Sequence, residues 1–181
     1  MAAQGGDAET GIDAAIKIAV RQLQTPIGIL QVAASQDRLL YIELPRRQGE
    51  GSFEHWLHGR LRRRAETPAL KVALRQLREY FAGRRRQFDV PLDPAGSEFQ
   101  RRVWRRVAEI PFGETLSYGQ VAVELGGERL ARAVGAALAA NPIPIVIPCH
   151  RVIGADGALV GYGGGLGMKV WLLCHEGVIM V

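Results

Sequence analysis

The chain has 181 residues, 48% of them hydrophobic, which is enough for one ordinary domain or two small ones with a real core. Its net charge of +5 is carried mostly by arginine, which suits phosphate-bearing partners, although a solvated arginine face gives the same balance. With Cys149 and Cys174 as its two cysteines, no disulfide framework or cysteine-rich zinc site can be built, and no apolar run approaches the length of a membrane span.

Residues 1–15 carry no basic-then-apolar secretory pattern and read as a loose tail, so the expected location is the cytoplasm. Ile16, Ile18 and Val20 then alternate with Lys17, Ala19 and Arg21, the period of a half-buried strand. A turn at Thr25-Pro26-Ile27-Gly28 and strands over 29–34 and 39–44 complete an antiparallel meander. A Gly-rich basic linker leads to Ser52, a helix cap before Phe53, Trp56, Leu57 and Leu61 at helical spacing. His55 and His58 lie three apart there, but with no thiol or carboxylate at ligand spacing they read as a solvated face. Thr67-Pro68 starts a helix with core positions Leu70, Leu74, Leu77 and Phe81, and Gly83 stops it. The proline-punctuated stretch to Gly96 reads as a connection, with the boundary near Pro94. That division makes 16–94 an N-terminal unit and 95–181 a C-terminal one.

Ser97-Glu98-Phe99-Gln100 is a capping-box pattern that opens a helix with Phe99, Val103, Val107 and Ile110 on one stripe. A second box, Ser117-Tyr118-Gly119-Gln120, opens a short helix, Gly126-Gly127 turns the chain, and a further helix is predicted over 128–140. This is the outline of a helix-turn-helix. On its second helix Leu130, Val134 and Leu138 face inward, whereas Arg132, Gly135, Ala136 and Ala139 share another face at i, i+3, i+4 and i+7. A face of one arginine among nearly absent side chains fits either close helix packing or a narrow groove such as the DNA minor groove.

Residues 143–147 read as a buried extended segment delivering Pro148-Cys149-His150-Arg151-Val152. Cys149 beside His150 is a candidate activated nucleophile, yet neighbours on a strand face opposite ways, so cooperation requires a turn or a bridging water. A buried thiol beside a surface histidine is the alternative. The turn Gly154-Ala155-Asp156-Gly157 predicts a hairpin between 152–153 and 158–162. A final helix over 167–175 places Val170, Leu173 and Cys174 inward, making Cys174 a core thiol. A cysteine hydrolase is disfavoured because no oxyanion motif accompanies the pair.

The order Ser117-Tyr118, Ala131-Arg132-Ala133-Val134-Gly135, Asn141-Pro142, Ile147-Pro148-Cys149-His150-Arg151-Val152, Gly161-Tyr162 with Gly164-Gly165-Leu166, and His175-Glu176-Gly177 resembles the methylated-DNA protein-cysteine methyltransferases, or alkylguanine-DNA alkyltransferases. The resemblance implies an α/β (α+β) protein of two domains. The first is a ribonuclease-H-like α/β domain with an antiparallel sheet, and the second a mostly helical domain with a helix-turn-helix carrying the acceptor cysteine. It implies direct-reversal DNA repair without a cofactor or metal: minor-groove binding, flipping of the damaged base, and one irreversible transfer of the alkyl group from O6 of guanine, with O4 of thymine left open. By the same resemblance Cys149 is the acceptor, His150 its base through a water, Glu176 the carboxylate behind it, Asn141 a brace and Tyr118 a donor to the base. Arg132 intrudes into the stack with Gly135, Ala136 and Ala139 against DNA, and Val152, Tyr162 and Gly163 line the base pocket. The implied partner is double-stranded DNA containing alkylated guanine, bound by a monomer, with cooperation between copies left open. Three departures stand out: Ala139-Ala140 before Asn141 removes a phosphate contact, the zinc cysteines of some relatives are missing, and Val160 is expected to narrow the pocket.

Overall fold

The alternation near the N-terminus forms a meander in the computed structural model of the chain, which describes residues 17–45, 52–63 and 65–180. Strands β1 (Lys17–Thr25), β2 (Gly28–Ala34) and β3 (Leu39–Glu43) pair antiparallel in sequence. Gly28, at φ +111°, supplies the turn backbone that a side-chain-bearing residue adopts only with strain. Helix α1 (Ser52–Leu57) is shorter than its apolar spacing predicts: Leu61 belongs instead to β4 (Leu61–Arg63), which pairs parallel to β1. The sheet order is β3-β2-β1-β4. Ile16, the tail over residues 1–15 and the linker at 46–51 lie outside the described residues.

Over Ile18 and Ala19 the first strand is buried on both sides instead of half-buried as predicted, because both faces of the sheet are covered there. Ala19, Leu23, Leu30 and Val32 join the main core, while Ile18 and Ala33 pack with Tyr41, Phe53 and Leu57 beneath α1. The main core face meets α2 (Pro68–Phe81). Thr67 caps α2, its hydroxyl accepting from the Leu70 N–H at 3.2 Å, and Leu70, Leu74 and Leu77 are buried as the spacing predicts. Each such side chain contributes about 1.5–3 kcal/mol. Phe81 is only half-buried, and Tyr80 beside it is fully enclosed.

An edge strand offers unpaired backbone groups, and here the connecting chain covers β3. Leu39 N–H donates to the Pro91 carbonyl at 2.8 Å, Asp93 N–H to the Leu39 carbonyl at 3.0 Å, and Ile42 N–H to the Pro142 carbonyl at 2.8 Å. The last bond ties the sheet to the segment that leads to Cys149. The buried Gln76 of α2 pairs with Asp89 and anchors the connection from the other side.

In the C-terminal half α3 (Glu98–Ala108) has the predicted capping box, and its Trp104 donates Nε1–H to the Ala137 carbonyl at 2.8 Å. After β5 (Leu116–Ser117), α4 (Tyr118–Glu124) has the second capping box. The predicted helix over 128–140 is a 3-10 turn at Glu128–Leu130 followed by α5 (Ala131–Ala139). The predicted hairpin around 154–157 keeps its turn but not its second strand. β6 (Val152–Ile153) pairs parallel with β5, and Gly161, at φ +48°, turns the chain out of any strand over 158–162. Helix α6 (Leu166–His175) closes the fold. Its buried residues are Lys169, Leu172 and Leu173, with Val170 and Cys174 only half-buried, so the inward face is rotated from the predicted one toward a lysine. Among the described residues no helix is long and apolar enough to cross a membrane.

Candidate active site

The segment before Cys149 is buried, as predicted, but it is not extended. Prolines at 142, 144 and 148 deny it the N–H groups of a ladder, so it coils. Ile147 N–H donates to the Ile143 carbonyl at 2.9 Å, and Cys149 N–H to the Ile147 carbonyl at 2.8 Å. Ile145 takes φ +76°, which costs a β-branched residue about 1–3 kcal/mol and is met at functional sites. Asn141 locks the coil: its Oδ1 accepts from the Ile143 N–H (3.0 Å), and its Nδ2 donates to the Ile147 carbonyl (2.9 Å) and reaches Cys149 Sγ (3.3 Å).

Cys149–Arg151 then form one 3-10 turn, in which successive side chains diverge by about a third of a turn instead of alternating across a strand. Cys149 thereby faces a cavity, while His150 is fully buried. His150 Nε2 lies 2.8 Å from Glu176 Oε1. The same carboxylate accepts from Arg151 Nε (2.8 Å) and Nη2 (2.9 Å), from the Tyr80 hydroxyl (2.7 Å) and from the Gly113 N–H (3.4 Å). Burial alone would raise the Glu176 carboxyl, but the hydrogen bonds from His150 and Arg151 outweigh it and hold the group well below the usual carboxylate range. Burial pushes His150 down, and the Glu176 bond opposes this only in part, so the ring is neutral at pH 7. An ionised carboxylate can only accept, so Nε2 carries the proton and Nδ1 the lone pair. Nδ1 has no protein partner among the described residues.

On α6, Lys169 Nζ donates to the Val152 carbonyl at 2.6 Å and to the Val160 carbonyl at 3.1 Å. Burial lowers its pKa, and the nearby Cys149 sulfur acts in the opposite sense. Nζ also stands 5.9 Å from the Tyr118 ring centroid. Tyr118 opens α4, and its hydroxyl donates to the Val160 carbonyl at 3.1 Å; burial and then the Cys149 charge push its pKa up, keeping it a donor.

The cavity measures about 300 Å³, at the small end for ligand pockets. Cys149 and Tyr118 line it with Gly135, Leu138 and Ala139 of α5 and the loop Gly161-Tyr162-Gly163. Arg132 and Ala136 lie exposed on the same helix. Gly135 stands against the Tyr118 ring, which a side chain at that position would meet at 3.7 Å. His150, Asn141 and Glu176 back the site without lining the cavity. Val152, expected in the pocket, is buried away from it and takes part through its carbonyl. The Val160 side chain is 47% exposed and also outside the lining, so it does not narrow the cavity as expected. Sequence reasoning missed Arg151, Tyr80, Lys169, Leu138 and Gly161. Lys169 had a signal: with Leu172, Leu173 and Glu176 it completes an i, i+3, i+4, i+7 stripe.

Most of the chain is similar to proteins of known kind. The family profile for 6-O-methylguanine DNA methyltransferase, ribonuclease-like domain, matches residues 18–94, and that for the DNA binding domain matches residues 98–178. A methylated-DNA–protein-cysteine methyltransferase of Mycolicibacterium paratuberculosis is 48% identical over 160 residues, covering 88% of this chain and 92% of its own. The constitutive one of Bacillus subtilis is 41% identical over 158 residues, covering 84% and 92%. Among solved structures, Mycobacterium tuberculosis OGT in complex with DNA superposes with TM-score 0.76 at 40% identity, covering 89% of this chain and 92% of that one. The O6-methylguanine DNA methyltransferase of Methanococcus jannaschii gives TM-score 0.60 at 32% identity, covering 89% and 95%.

Proposed function

The chain belongs to the methylated-DNA–protein-cysteine methyltransferase family, enzymes of DNA alkyl repair, and from that premise we propose that it carries an alkyl group from O6 of guanine in double-stranded DNA to Cys149, once and irreversibly. The observation that carries this reading is a thiol and a phenol donor on the wall of one small cavity beside the small-residue face of α5, with a buried histidine next to the thiol in the chain and held by a carboxylate.

Glu176 holds the Nε2–H of His150, which directs the Nδ1 lone pair to the thiol proton through a bridging water. The sulfur then forms a bond to the alkyl carbon as the carbon–oxygen bond breaks, and the electron pair passes to guanine, which takes up one proton. Tyr118 turns its hydroxyl from the Val160 carbonyl to a ring nitrogen of the base and neutralises the departing guanine. Asn141 Nδ2 orients the sulfur, and the Lys169 ammonium favours the thiolate over the thiol. The thioether product offers water no leaving group under mild conditions, so each molecule acts once.

The cavity is lined on one side by α5, whose Arg132, Ala136 and Ala139 are exposed. A base inside a duplex cannot reach Cys149 there, so the nucleotide is flipped, at a cost of a few kcal/mol in unstacking. Exposed Arg132 fills the vacated stack from the minor groove, and Gly135, Ala136 and Ala139 allow the backbone of α5 to approach. The protein acts as a monomer, with the transfer site in its C-terminal unit. Incubation with a duplex containing O6-methylguanine should add one methyl group to the intact mass, located on the Cys149 peptide and lost in Cys149→Ala. An unchanged mass of the intact protein would refute the reading.

A further inference from the structure

We propose that Tyr80, contributed by α2, is a positioning residue for this transfer: its hydroxyl holds Glu176 and through it sets the basicity of His150. The inference rests on the function proposed above. Tyr80 is fully buried, and its hydroxyl donates at 2.7 Å to Glu176 Oε1, the same oxygen that faces His150 Nε2 at 2.8 Å. The two residues are 96 positions apart, so the sheet-bearing half of the protein reaches into the proton relay of the other half.

The phenol cannot swing away. Its ring packs against Phe81, Phe88 and Phe112 with centroids 5.3, 5.5 and 6.2 Å away. His175 Nε2 lies 2.8 Å from the Tyr80 carbonyl, and the His175 ring also meets the Tyr80 ring at 5.0 Å. A phenylalanine would fill that aromatic cluster equally well, and a buried hydroxyl is costly unless it bonds. The hydroxyl therefore answers to its one acceptor. Burial, followed by the Glu176 charge, pushes the phenol far above its ordinary range, so it donates at every working pH.

An oxygen that accepts from Tyr80 has less density to offer His150. Other groups near the pair are Arg151 and the Gly113 N–H, which donate to Glu176, Lys169, whose charge acts on His150, Cys149 next to His150 in the chain, His175 against the Tyr80 ring, and the Tyr162 ring, its centroid 6.4 Å from that of His150. The Arg151 and Lys169 charges depress His150 with or without Tyr80. Removing the hydroxyl leaves Glu176 the stronger acceptor, the imidazolium better stabilised, and the base protonated at a higher pH.

The test is the pH profile of single-turnover methyl transfer from a modified duplex by the full chain, for the wild type, Tyr80→Phe and Phe81→Leu. Phe81→Leu disturbs the same aromatic cluster and removes no donor. In Tyr80→Phe the acid limb should move up by about one pH unit, the scale of one hydrogen bond to a charged group. Below the limb the rate should fall about tenfold, while the alkaline plateau changes by less than about threefold. Phe81→Leu should leave the limb in place. An unmoved limb in Tyr80→Phe, or an equal shift in Phe81→Leu, overturns the inference even with the wild type active. A wild type that transfers nothing removes the proposed function and this inference together.

Discussion

Glu176→Gln is the substitution on which most of the site depends. The Glu176 side chain is fully buried, and its carboxylate accepts from His150, Arg151, Tyr80 and Gly113. Glutamine retains one acceptor oxygen and turns an NH2 toward donors that need the other, and it removes the counterion of the buried Arg151 guanidinium. Breaking a buried pair by removing one partner costs about 3–5 kcal/mol, a large share of the 5–15 kcal/mol that folded proteins have. With a urea m-value of about 2 kcal/mol/M, the unfolding midpoint at pH 7 should fall by roughly 1.5–2.5 M, followed by circular dichroism. The pH dependence gives a second reading. Both Glu176 and His150 have folded pKa values below their unfolded ones, so the unfolded chain binds more protons as the solution is acidified. Their contribution is complete above the ordinary histidine value of 6.5 and declines as pH falls; the Glu176 share is lost below 4.5. Glu176→Gln should lack that lower leg. A midpoint shift under roughly 0.5 M, about 1 kcal/mol, with the acid leg unchanged would refute the assignment of Glu176 as the centre of the network.

Three further outcomes are expected. Arg132→Ala, on an exposed position, should leave the melting temperature unchanged and slow repair of duplex DNA at least about tenfold more than reaction with the free alkylated base; equal losses on both substrates would remove its role in the stack. Tyr118→Phe should slow transfer by about 10²-fold and leave the salt-sensitive affinity for unmodified duplex intact, as measured by fluorescence anisotropy, because arginine–phosphate contacts set that affinity. Asn141→Ala strands the Ile143 N–H, worth about 1–3 kcal/mol when buried and unpaired, and leaves the Ile147 carbonyl with the Cys149 N–H alone, so both the urea midpoint and the transfer rate should fall. A variant of wild-type stability would show that the coil around Ile145 holds without it.

The features legible in the sequence were those whose physics is local. Thr67, Ser97 and Ser117 cap their helices because a side-chain oxygen reaches an N–H three residues on, whatever the rest of the chain does. The Cys149-His150 motif and the small face of α5 were likewise visible from spacing and family resemblance. Local signals misled where a partner came from elsewhere. Leu61 fits a helical stripe but pairs with β1, and Val152-Ile153 fits a hairpin but takes β5 as its neighbour. Lys169 received no role from the sequence, since its acceptors, the carbonyls of Val152 and Val160, come from another part of the chain.

The residue types, the caps, the meander and the Cys149-His150 motif were therefore determined by the sequence alone. Tertiary structure alone decided that the pair shares a 3-10 turn, that Nδ1 is the free nitrogen of His150, and that Tyr80 bonds to Glu176. Those outcomes depend on burial and on groups up to 96 residues apart, which backbone spacing cannot encode. A thiol beside an imidazole is an ordinary pair of side chains until folding removes water, fixes the tautomer and places the sulfur at the cavity wall.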